Sequence, residues 1–202
     1  MTELTPWDYH PDLTEERLCA VASMIVDGRH SALERYDEAA GDNSWTHGCR
    51  AFQFGRFRIL NAADGGSYPW LSVIDRTLQL VFKIGEVPVR IYKGMPDEPT
   101  SRTLRQSFGE LNQLGLLFLR DEKAQDLAYR FAVETDVDGA VLAVSFVGFH
   151  GETAVLNWNV PFDSTLGFTG TVGREASEIV KLDPPSVGVR SDRKRDDGAT
   201  GS

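Results

Sequence analysis

Two cysteines in 202 residues, Cys19 and Cys49, are too few for a disulfide framework. Such usage suits a reducing compartment, and a chain this long can bury a core without staples. Long hydrophobic runs are missing too, and no stretch approaches the roughly 20 apolar residues that span a bilayer. The opening residues, MTELTPWDYHPDLTEERL, lack the basic stretch and apolar run of a secretory signal. The expected setting is therefore cytoplasmic, with no membrane partner. Positive charge is scarce as well: 21 Lys and Arg stand against 30 Asp and Glu, a net −9. A chain of that sign is poorly suited to coating nucleic acid, because phosphate neutralisation dominates nonspecific binding. There is no Walker or Rossmann glycine loop to cradle phosphates, and no repeat at solenoid spacing. No cofactor is implied.

What is present is an ordinary globular composition, 41% apolar and 25% charged, with the charge unevenly spread. Residues 1–49 hold 3 basic and 10 acidic side chains, 50–105 hold 9 and 5, and 106–202 hold 9 and 15. The central third is thus a basic island between two acidic flanks, an arrangement that suits recognition of a charged partner.

The pattern of elements points to an α+β fold: a long N-terminal helix and a second helix packed on a mostly antiparallel sheet of about five to seven strands. Residues 1–12, with Pro6 and Pro11, read as an extended arm, 13–170 as one domain, and 171–202 as a short helix followed by a disordered tail. Thr14 with Glu15 and Glu16 starts a helix. Leu18, Val21, Ala22, Ile25, Ala32, Leu33 and Tyr36 carry it to about residue 40, with a bend at Gly28.

The segment RAFQFGRFR, residues 50–58, reads as a strand. A bulge at Gly55 then turns Phe52, Phe54, Phe57 and Ile59 inward and the arginines outward. It meets the basic and aromatic positions of the ribonucleoprotein-1 motif but misses at Ala51, Gln53 and Gly55, so no RNA-recognition domain is assigned.

The clearest local object is TLQLVFKIGEVPVRIYKG. Gly85-Glu86 makes a type II′ turn, pairing Ile84 with Val87, Phe82 with Val89 and Leu80 with Ile91. Pro88 makes the second strand a tolerable sheet edge, open in principle to a partner strand. A helix is expected over about 100–114, capped by Thr100 or Ser101, with Leu104, Phe108 and Leu111 buried. Asp138-Gly139 signals a hairpin pairing Val133 with Val144 and Phe131 with Phe146. A loop at His150–Glu152 then brings Leu156 near Phe146.

Catalytic signatures are thin. His10, His30, His47 and His150 are scattered, and His47-Gly48-Cys49 alone is too short for a zinc site. A Cys49 nucleophile with His47 or His150 as base has the right residue types. Pro96-Asp97 followed by Asp121-Glu122-Lys123 spells the letters of a metal-dependent nuclease without its strand context. The better candidate is a basic set, Arg56, Arg58, Arg90, Lys93, Arg102 and Arg105, with Tyr92 beside it. Such a set makes an anion or partner site only if its members share one surface. The expected function is a non-catalytic binding or regulatory protein acting through protein contacts, of the accessory, antitoxin-like or immunity-like kind. The alternative is a nucleic-acid-binding or -processing protein using residues 50–105.

Overall fold

The computed structural model describes residues 4–120 and 127–162. The short helix and tail expected over 171–202, and the Asp121–Lys123 triplet, lie outside the described residues. The N-terminal arm contains one helical turn, α1 (Pro6–Tyr9). Thr5 donates to the Asp8 carboxylate through both its N–H (2.8 Å) and its hydroxyl (2.7 Å), which caps the turn. The arm lies on the body of the protein: Trp7 meets Trp158 edge-on at 5.5 Å, and the Tyr9 hydroxyl donates to the Val155 carbonyl.

Two long helices follow, α2 (Glu15–Leu33) and α3 (Ser44–Asp64). The second replaces the strand expected at 50–58. Its buried residues, His47, Ala51, Gly55 and Ile59, recur every four positions, which is a helical stripe. Asn43 caps it, accepting from the Trp45 and Thr46 amides. No bulge forms at Gly55. Instead Gly28 and Gly55 are where the two helices cross: a Cβ on Gly28 would lie 2.4 Å from the Gly55 nitrogen. Glycine here allows close approach rather than a bend.

The strands β1 (Leu71–Asp75), β2 (Val81–Ile84), β3 (Val87–Lys93), β4 (Ala128–Thr135), β5 (Val141–His150) and β6 (Thr153–Asn159) form one sheet in sequence order. Every pairing is antiparallel except β3 with β4. The Gly85-Glu86 turn sets Ile84 opposite Val87 and Phe82 opposite Val89, as the alternation requires, with Gly85 at φ +61°. A Cβ on Gly85 would collide with the Asp12 carboxylate, which accepts from the Glu86 amide at 3.0 Å. The 138–139 hairpin likewise pairs Phe131 with Phe146 and Val133 with Val144. In the last hairpin Phe146 faces Trp158, and Leu156 lies opposite Gly148, two residues along from Phe146 and in the same core cluster.

The parallel pair needs a crossover, and the chain supplies α4 (Ser101–Leu104) and α5 (Phe108–Arg120). The single helix expected over 100–114 breaks at Arg105–Ser107, because Ser107 and Glu110 exchange hydrogen bonds and start a new helix. Phe108 (79% exposed) and Leu111 (49%) therefore turn outward, while Glu110 and Leu114 turn in.

Helices thus cover both faces of the sheet. On one, α2 and α3 close over Phe82, Ile84, Val87, Val89, Phe131, Val133, Val144 and Phe146 in a single apolar cluster. Each such side chain contributes about 1.5–3 kcal/mol of burial. Among the described residues the other face has a small cluster, Ala128, Ala132, Val147 and Phe149 with Leu104 and Tyr92 beside it. Among the described residues no helix is long and apolar enough to cross a membrane.

Candidate functional site

The second face carries charge where the first carries methyl groups. Arg130 on β4, 1% exposed, forms an ion pair at 2.5 Å with fully buried Glu110 of α5. Its Nε donates to the Thr103 carbonyl, and its Nη1 also donates to the Tyr129 carbonyl. Arg90, one strand over and in register with Arg130, donates from Nη1 to the Arg105 carbonyl at 2.5 Å. Burial, and then the neighbouring Arg130 guanidinium, lower the Arg90 pKa. Arg90 Nε and Arg130 Nη2 are buried and have no hydrogen-bond partner among the described residues. Two guanidinium groups held side by side with unused donors are costly to bury.

Both arginines line a cleft of about 800 Å³. The first half of α3, from Ser44 to Gln53, forms one wall, Thr100–Thr103 of the α4 turn the other, and Leu78-Gln79 close one end. The floor is Arg90, Ile91, Tyr92 and Lys93 of β3. Among the described residues four cations line this cleft, Arg90, Lys93, Arg102 and Arg130, and no carboxylate does. Apolar surface is offered as well, by Phe52, by Trp45 (74% exposed) and by Leu78 (80% exposed). Tyr92 donates its hydroxyl to the Met95 carbonyl, and burial pushes its pKa up to about 12, so the phenol stays neutral.

Of the residues singled out from sequence, Arg90, Tyr92, Lys93 and Arg102 come together in this cleft. The others do not line it. Arg56 lines an adjoining cavity of about 140 Å³ with Arg29 and Lys93, and its guanidinium donates to the Arg76 and Thr77 carbonyls. Arg58 donates to the Ser31 hydroxyl on α2. Arg105 reaches the site only through its backbone carbonyl. The whole basic set does not line this one cleft; a smaller set, Arg90, Lys93 and Arg102, does. Arg130 was missed because a cation in the middle of YRFAVE reads as one residue on a solvated strand face. Its flanking Ala128 and Ala132, small and on the same face, were the available signal.

The catalytic alternatives find little support in the geometry. His47 is buried beside Gly139 and Tyr36 with neither ring nitrogen bonded, and Cys49 Sγ makes no hydrogen bond to a described residue. The thiol–imidazole pair is thus not assembled. Among the described residues, no three His, Cys, Asp or Glu side chains are grouped to hold a metal ion. No family model matches the chain, and comparison with curated proteins and with solved structures gives no match.

Proposed function

We propose that this protein is a non-catalytic binding protein that recognises an acidic protein partner through the cleft between α3, β3 and α4. One observation carries the reading. In a chain of net charge −9, the cleft collects four cationic side chains and, among the described residues, no carboxylate. Chance pairing on a surface mixes the signs, whereas a site kept at one sign is complementary to an opposite charge. The surrounding negative charge repels a long polyanion, so a short acidic segment of a protein fits better than a nucleic-acid strand.

The test compares affinity capture by the full chain and by a Lys93→Glu/Arg102→Glu variant, with and without nuclease. The expected result is a protein retained by the native chain, lost by the variant and indifferent to nuclease. Identical captured proteins for both chains would overturn the reading. Release by nuclease would move the function to nucleic acid instead.

A further inference from the structure

Strand β3 is paired with β2 over its first residues and with β4 over its last, and has both partners only at Val89. Its register with β2 ends at Phe82 opposite Val89, while its register with β4 continues to Lys93 opposite Val133. The alternation predicts a further pair, Leu80 with Ile91, and the structure does not make it. Leu80 has φ +36°, the one non-glycine residue with positive φ among the described residues, and its side chain is buried. A turn from Thr77 to Leu80, closed by a 3.1 Å backbone hydrogen bond, leads the chain into β2 from outside the ladder. Arg56 holds the same turn by the Arg76 and Thr77 carbonyls. A non-glycine residue in that conformation is strained and persists only where its surroundings impose it. The consequence is a strand edge left open in the floor of the cleft.

Parity says which groups are open. The Gly94 N–H donates to the Val133 carbonyl at 3.1 Å, so even-numbered residues of β3 turn their backbone groups to β4. Ile91 and Lys93 turn theirs the other way, into the cleft. No described residue hydrogen-bonds to them on that side.

We propose that the cleft takes an extended acidic segment of its partner as an added strand beside Ile91 and Lys93. Backbone pairing gives such complexes affinity, and alternate side chains give specificity. Residues of the added strand on the Arg90–Tyr92 side would be acidic, opposite Arg90 and Arg102. Those on the Ile91 side would be apolar, against Phe52 and Trp45. This inference rests on the acidic-partner reading, and it can fail while that reading stands.

The probe is a set of eight-residue peptides alternating Asp or Glu with Val, Ile or Tyr, titrated into the ¹⁵N-labelled full chain. Neutral peptides with Gln in place of the acids serve as the comparison. Binding is expected to slow amide exchange at Ile91 and Lys93 and leave Arg90 and Tyr92, already paired to β4, unchanged. Lys93→Ala removes one charge, and Lys93→Pro removes the charge and the N–H together. The proline variant should bind about 10-fold more weakly than the alanine variant, the order expected for one lost interstrand bond and its blocked neighbour. Alternate N-methylation of the peptide should abolish binding, an arm that does not depend on either variant folding. Acid-dependent binding that ignores N-methylation and leaves both amides unprotected would overturn strand addition alone. Equal binding of acidic and neutral peptides would overturn the acidic-partner reading too. No binding by any peptide would overturn strand addition and leave the capture experiment to judge the partner.

Discussion

The two faces of the sheet solve different problems with the same strands. Under α2 and α3, odd-numbered residues of β3 and β4 meet an apolar layer drawn tight by the Gly28–Gly55 contact. Under α4 and α5, even-numbered residues meet a buried ion pair and two unused guanidinium donors, beside a cleft that α3 walls on its other side. The first face is sealed apart from the small cavity beside Arg29 and Arg56, and it holds the fold together. The second is left incomplete, with charge gathered where it opposes folding, and an incomplete face in a stable fold is a natural place for a ligand.

Breaking the ion pair should show the contrast at its largest. Glu110→Ala leaves the Arg130 charge buried and without its carboxylate, and should cost about 3–5 kcal/mol in urea unfolding. Glu110→Ala combined with Arg130→Met should recover much of that loss. A single-variant cost under about 1 kcal/mol would mean the pair is solvated in solution.

The sealed face should respond asymmetrically to methyl groups. Gly28→Ala places its Cβ 2.4 Å from the Gly55 nitrogen, so the helices must part, at about 1–3 kcal/mol. Gly55→Ala meets only Ile25 Cα at 3.7 Å, an ordinary contact. Its gain in helix propensity, up to about 1 kcal/mol, should leave it neutral or more stable. Equal costs for the two variants would break this account of the crossing.

That crossing also shows how far the sequence could be read. The hairpins were legible because alternation and a glycine turn are local signals: Val87, Val89 and Phe131 fell where period two put them. The 50–58 segment was misread because aromatic and arginine letters look like an amphipathic strand. The decisive stripe there, His47, Ala51, Gly55 and Ile59, holds one large apolar residue among small and polar ones, and Phe57 is 55% exposed. The cleft was only partly legible. Arg90, Lys93 and Arg102 belonged to a recognised basic island, but their separation from Arg58 depends on α3 being a helix, and from Arg105 on where α4 ends. The open edge of β3 depends on the parallel crossover and on the backbone of Leu80, and neither is written in a local pattern.

His47 gives a smaller, pH-dependent effect at the border of the two faces. Burial first, and then the charges of Arg29, Lys93 and Arg50, lower its pKa from an ordinary 6.5, with Asp42 acting in the opposite direction. The unfolded ring therefore takes up a proton at a pH where the folded ring does not. Stability is full above the unfolded value and falls as pH drops below it, by about 1.4 kcal/mol per pH unit until the folded ring also titrates. His47→Gln should flatten the unfolding profile between pH 7.5 and 5.5 relative to the native chain. A slope unchanged by the substitution would place the ring in contact with water.

The smallest stability effect tests the comparison most sharply, because its sign is reversed. Arg102 is exposed on the single turn of α4, and its charge adds to those that lower the Arg90 pKa. Arg102→Glu should therefore leave the fold unchanged or more stable by a few tenths of a kcal/mol, read as a small rise in Tm. The same substitution should remove partner capture. A side chain whose loss improves the fold and abolishes binding is held for the partner, so a variant less stable by more than about 1 kcal/mol would return Arg102, and the cleft with it, to the structural role of the sealed face.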